Sequence, residues 1–157
     1  MPGVTRILSN VVTRIDPPFL LLTHGRFSPS GFIAGFPVYN LTTVGAKSGK
    51  QRTHPVIGIP VGDKFVLIAS NFGKNNNPAW YYNLLSNPSA QINQDGGSKS
   101  YHARQADPKE YDIYWKLAVS TYSGFDSYRR QTTRRIPILI LTPNIILDEP
   151  ATLVRPG

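Results

Sequence analysis

The stretch VYNLTTVGAKSGKQRTHPVIGIPVGDKFVLIAS, Val38 to Ser70, decides the fold. Three runs rich in Val, Ile, Thr, Tyr and Phe read as strands: VYNLTTV, RTHPVIGIPV and KFVLIAS. Glycine-bearing turns separate them, Gly45 to Lys50 first and then Gly62-Asp63. Pro55 and Pro60 each remove a ladder donor from the second run, so that run needs an edge, a bulge or a bend. A small curved barrel meets that need better than a flat central strand.

Downstream, Asn77-Pro78 in NNNPAWYYNLLSNP predicts a short helix, with Asn77 as its cap, Pro78 at the first helical position and Pro88 as its stop. SAQINQ and KSYHARQ flank Asp95-Gly96-Gly97, a hairpin signal. Asp107-Pro108-Lys109-Glu110 predicts a capping box opening a helix with Tyr111, Tyr114, Trp115, Leu117 and Ala118. IPILILT, Ile136 to Thr142, reads as a last buried strand. Antiparallel strands with helices between them predict an α+β fold built around a small barrel. No βαβ alternation and no G-x-G-x-x-G after a strand is present, which argues against a Rossmann dinucleotide site.

Upstream, Val4, Ile7, Leu8, Val11, Val12 and Ile15 recur at helical spacing until Pro17-Pro18. This predicts an N-terminal amphipathic helix, either packed on the domain or laid on acidic lipid. With the Gly-, Pro- and Ser-containing linker that follows, it fills residues 1–36, leaving 37–157 as the barrel domain.

The 157 residues suffice for one cored domain, and the absence of cysteine excludes disulfides and thiol chemistry. His24, His54 and His102 have no ligand-like spacing, so no metal is expected. No apolar run is long enough to span a bilayer, and no cleavage-site pattern follows an apolar segment, so a cytoplasmic location is expected, with peripheral membrane contact through the first helix left open. A formal charge of +8 calls for an anionic partner. Much of the excess lies in the first turn and in YRRQTTRR, Tyr128 to Arg135.

The turn GAKSGKQR is one residue short of a P-loop and has Gln51 where Ser or Thr belongs, which counts against a nucleotide triphosphatase. Glycines that turn N–H groups toward an anion, beside Lys47, Ser48 and Arg52, still suit a phosphate; the alternative is a solvated hairpin tip. The loop ASNFGKNNNP combines small residues that admit a flat ring with the start of a helix. Trp80 and Tyr81 read as core or as pocket wall.

Taken together, LTTVGAKSGKQRTHPV, VLIASNFGKNNNPAWYYNLLSNPSAQI and RRIPILILTP resemble the deazaflavin-dependent nitroreductase family, coenzyme F-420-dependent oxidoreductases of the split β-barrel, FMN-binding-like superfamily. The resemblance covers Val38 to Pro143, and its most specific parts are G-x-K-S-G-x-x-R and N-P-x-W-Y-x-N. It implies hydride transfer from reduced F-420 to a small electron-poor acceptor such as a quinone, an activated alkene or a nitroaromatic. By position, Lys47, Ser48 and Arg52 hold the cofactor phosphate, with Gly45 and Gly49 shaping the turn and Pro55 on the neighbouring strand. Ala69, Ser70, Asn71, Phe72 and Gly73 border the ring, Lys74 reaches toward the acidic tail, and Asn77, Trp80 and Asn83 complete the pocket. Tyr122, Phe125 and Tyr128 form the substrate side, with Ser70, Tyr122, Tyr128 or water delivering the proton; Phe125 stands where a nitroreductase of the family carries tyrosine. Three alternatives stay open: an FMN-using enzyme of the same fold, a carrier that binds deazaflavin without turnover, and a nucleic-acid module using the Tyr128–Arg135 run. No nucleic acid is expected as partner on the leading reading, and the chain is expected to be a monomer or a homodimer.

Overall fold

The structure, a computed structural model, describes residues 38–94 and 97–145. The amphipathic helix and linker expected over 1–36 lie outside the described residues. Strands β1 (Val38–Val44), β2 (Gln51–Val61), β3 (Lys64–Ile68), β4 (Ser89–Gln94), β5 (Gly97–Gln105) and β6 (Ile138–Pro143) close a barrel in the order β1-β2-β3-β6-β5-β4. Every pairing is antiparallel, and β1 closes the ring by pairing with both β2 and β4. Closure leaves no unpaired edge on the ring. Among the described residues, three α-helices accompany the barrel: α1 (Ala79–Ser86), α2 (Pro108–Thr121) and α3 (Gly124–Gln131).

The chain builds two cores on opposite faces of one wall. Phe65 and Leu67 of β3 and Leu139 and Leu141 of β6 face the barrel interior with Leu41, Val56, Ala90 and Ile92. Val66, Ile68 and Ile138 face outward, where Tyr111, Trp115 and Ala118 of α2 and Phe125 and Tyr128 of α3 cover them. Strands buried on both faces need apolar residues at every position, which is why FVLI, Phe65–Ile68, and ILIL, Ile138–Leu141, read as unbroken apolar runs. Helix α1 plugs the barrel, adding Trp80, Tyr81 and Leu84 to the inner core.

The two prolines of β2 are accommodated by a change of neighbour. β2 pairs with β1 over Gln51–Ile57 and with β3 over Gly58–Val61, so each proline has a strand on one side only. At the changeover the rings of Tyr39 and Phe65 meet edge to face at 4.9 Å. A Cβ on Gly58 would fall 2.8 Å from Tyr39 Cδ2, so the ring needs a glycine beneath it.

The capping box forms as expected: Asp107 Oδ1 accepts from the Lys109 and Glu110 N–H groups, and Glu110 Oε2 accepts from the Asp107 N–H at 3.0 Å. The Glu110 carboxylate also takes a two-pronged bond from Arg104 at 2.7 and 2.8 Å, tying α2 to β5. The cap expected at Asn77 does not form. Pro78 is the N-cap of α1, and Asn77 Oδ1 instead accepts from Arg134 Nη1 at 2.6 Å. A charged guanidinium outcompetes a helix N–H for that oxygen.

Candidate cofactor site

Two constellations meet on α1. The first is the basic turn, closed by Gly45 N–H to Lys50 O at 2.7 Å and Gly49 N–H to Gly45 O at 2.9 Å. Gly49 has φ 67°, left-handed, which a side chain would strain. Ser48 Oγ accepts from the Lys50 N–H at 3.2 Å. The turn is fixed from below by Asn83, a buried side chain on α1: Oδ1 accepts from the Ala46 N–H at 3.0 Å, and Nδ2 donates to Thr43 Oγ1 at 3.0 Å. Asn83 is thus a support of the turn rather than an open pocket wall. The ion pairs among the described residues join Arg104 to Glu110, and Arg129 and Arg130 to Asp126. Lys47, Lys50 and Arg52 therefore stand exposed with no carboxylate partner among the described residues, a donor set suited to a phosphate.

Arg52 stands opposite Thr43, and His54 opposite Leu41, on the interior-facing register of β2. Pro55 falls on the other face, so it does not join Arg52. His54 Nδ1 is buried and bonds to nothing among the described residues. Burial first, then the Arg52 charge, push its pKa below the usual 6.5. The unfolded chain therefore takes up a proton at His54 before the folded one does, and stability is lost as pH falls below 6.5. Urea denaturation across that range should show the loss in the wild type and a flatter profile in His54→Leu.

The second constellation is the loop 69–77. Asn71, Phe72 and Gly73 are three successive left-handed residues, with φ of 47°, 57° and 77°. Two of them are not glycine, and each such residue costs about 1–3 kcal/mol unless its surroundings hold it. The holding groups are identifiable. Asn71 Nδ2 donates to Asn76 O at 2.9 Å. The Phe72 ring lies edge-on to Tyr128 at 6.1 Å. Gly73 packs on α3 so closely that a Cβ would fall 2.9 Å from Gln131 Oε1 and 3.2 Å from Tyr128 Cα. Arg134 donates to four oxygens of the loop: Ala69 O, Ser70 O, Lys74 O and Asn77 Oδ1. Sequence reading assigned Arg134 no place in the site, although two arginines directly before a buried strand signal a guanidinium held near the core. Trp80, read as core or pocket wall, lies within the inner core.

The Tyr122, Phe125 and Tyr128 row is not one helix face. Tyr122 is the extended C-cap of α2, while Phe125 and Tyr128 belong to α3. They converge because the Tyr122 ring folds back over Gly124, bringing the Tyr122 and Tyr128 hydroxyls to 3.1 Å. Phe125 is buried edge-on to both rings, so it packs the pair and presents no face to a substrate. Burial first, then the Tyr122 hydroxyl, raise the Tyr128 pKa far above the usual phenol value and keep the group protonated. A Cβ on Gly124 would fall 2.1 Å from Tyr122 Cζ. Gly124→Ala should expel that ring and break the hydroxyl pair, seen as a lowered alkaline titration midpoint for Tyr128 in ultraviolet difference spectra.

The Tyr128–Arg135 run is also spent internally. The Arg129 guanidinium lies 4.7 Å from the centre of the Trp115 ring and that of Arg135 lies 4.0 Å from the centre of Tyr111, while Arg134 is turned into the loop. Among the described residues no helix is long and apolar enough to cross a membrane, and no cluster of three His, Asp or Glu could hold a metal ion.

A six-stranded antiparallel barrel plugged by one helix and flanked by two more is a split β-barrel fold. Residues 13–143 match the F420H(2)-dependent quinone reductases, and the chain belongs to that family. It is 30% identical over 109 residues to the F420H(2)-dependent quinone reductase Rv1261c of Mycobacterium tuberculosis, covering 68% of this chain and 73% of that protein. Two solved structures share 34% identity and a TM-score of 0.62 with it, each over 67% of this chain. One, an F420-H2-dependent reductase (FDR-A), is matched over 93% of its own length; the other, a domain-swapped dimer, over 79%.

Proposed function

We propose that this chain is an F420H2-dependent oxidoreductase that reduces quinones. The observation that carries this reading is the double attachment of α1: Asn83 fixes the basic turn, while Asn77, just before the helix, is tied by Arg134 to the strained loop. Six residues separate these attachments, about 9 Å if the helical rise held throughout. That spacing suits one elongated ligand with a ring at one end and a phosphate beyond it. Lys47, Ser48 and Arg52 would hold the phosphate, and the Ala69–Gly73 segment would border the ring.

When bound, the reduced deazaflavin supplies a hydride to the acceptor ring. The chain's own share is alignment and proton supply. The inner core and α1 fix both binding segments, so ring and acceptor are held in one orientation with little reorganisation. The Tyr122 and Tyr128 hydroxyls, 3.1 Å apart, are the proton source on this reading, with Tyr128 kept protonated and Tyr122 half-buried beside it. Ser70, within the ring segment itself, is the second candidate proton donor. Phe125, being buried, does not decide between a quinone and a nitroaromatic.

The test is a fluorescence titration of the full chain with oxidised F420 beside FMN, followed by anaerobic oxidation of F420H2 with a soluble naphthoquinone. Micromolar or tighter F420 binding with quinone-dependent turnover is expected. FMN binding in its place overturns the cofactor assignment, and tight F420 binding with no turnover over a panel of acceptors points to a carrier.

A further inference from the structure

Arg134 occupies the short segment between α3 and β6, outside both proposed binding clusters. Its Nη2 donates to Ala69 O at 3.0 Å and Ser70 O at 2.9 Å, its Nη1 to Asn77 Oδ1 at 2.6 Å, and its Nε to Lys74 O at 3.0 Å. These acceptors lie at the beginning, the middle and the end of the loop 69–77. Two residues earlier, Thr132 Oγ1 donates to Asn75 Oδ1 at 3.1 Å. The segment therefore grips the loop from one side while Gly73 seats it on α3 from the other.

A guanidinium has five N–H donors. Four are engaged here, which leaves Arg134 poorly equipped to bind a ligand anion and well equipped to shape backbone. Carbonyl groups at Ala69, Ser70 and Lys74 converge on one cation, and that convergence requires the loop to curl. The curl is what the three left-handed residues at Asn71–Gly73 provide. A strained turn persists only where its surroundings over-determine it, and Arg134 is the group that reaches both sides of this one.

We infer that Arg134 is a positioning residue: it sets the curvature of the loop 69–77 and thereby the placement of Ser70 and the 71–73 turn against the cofactor ring. The last clause rests on the proposed function; the control of loop curvature does not. Lysine cannot substitute, because one ammonium cannot present a planar fork to acceptors spread along a loop.

Arg134→Lys and Arg134→Ala, made in the full chain, separate the possibilities. Hydrogen exchange is followed without cofactor at the amides of 69–77 and of β1–β6. Affinity for F420 and quinone turnover are then measured, and Arg134→Ala is re-examined with guanidinium added below unfolding concentrations. The expected result is faster exchange confined to 69–77 and F420 affinity lower by ~10-fold or more in both variants. Guanidinium should restore part of both properties to Arg134→Ala. Wild-type exchange in 69–77 for either variant overturns the inference. So does a loosened loop that leaves affinity and turnover unchanged, because Arg134 would then be structural only. Should Arg134→Ala fail to fold, Arg134→Lys carries the test. If the wild type itself binds no F420, the proposed function falls, and the exchange data still decide whether Arg134 shapes the loop.

Discussion

Trp80→Ala should lower the unfolding free energy by about 3–5 kcal/mol, a large part of the roughly 5–15 kcal/mol that holds a domain of this size together. Trp80 is 7% exposed and lies in the inner core beside Tyr81, Leu84 and the barrel-lining Leu41 and Leu139. The plug helix is only eight residues long, too short to be stable without the apolar face it inserts. Removing the indole leaves a cavity at the point where α1 meets the barrel, and the strands, paired all round, cannot close in to fill it. Urea denaturation measures the loss directly. Trp80→Phe should recover most of the stability and bind F420 with nearly wild-type affinity. An affinity that collapses in Trp80→Phe while stability holds would make the indole a pocket wall after all.

The opposite profile is expected for the basic turn. Lys47→Ala and Arg52→Ala should each weaken F420 binding by about 1.5–3 kcal/mol, the range for a charge-assisted hydrogen bond, or roughly 10- to 150-fold. Both cations address one anion, so the double variant should fall short of the summed effect. Neither side chain is paired with a carboxylate among the described residues, and both are exposed. Stability should therefore move by no more than about 0.5 kcal/mol. Raising the salt concentration should weaken wild-type binding more than that of the double variant, since screening acts on the charges that the variants lack. Affinity unchanged in both single variants would return the turn to a solvated hairpin tip.

How much of this was legible in the sequence depends on how local each feature is. β3 and β6 stood out because a strand covered on both faces must be apolar at every residue. The Asp107 capping box, the β4–β5 hairpin and the glycine turn at Gly45–Lys50 each lie within a few residues and could be read as written. Ring closure through the β1–β4 pair could not, because nothing in either strand names its second neighbour. Asn77 carried a cap signature, yet its partner proved to be Arg134, 57 residues away. Tyr122 kept the spacing of a helical row, but α2 ends just before it and a glycine two residues on draws the ring back. In each of these cases local propensity was overruled by a contact that only the assembled barrel creates.

The position of β6 in the ring bears on how the protein is made. It follows the other five strands in the chain, but in space it lies between β3 and β5. A nascent polypeptide on the ribosome that has emerged only as far as α3 therefore holds both of those strands with an open side, and the outer core has neither Ile136 nor Ile138 to pack against its helices. Open strand sides of this kind invite pairing with other chains. Emergence of the Ile138–Pro143 segment would complete the sheet and both cores in one step, so the open strand sides are exposed to other chains until it does.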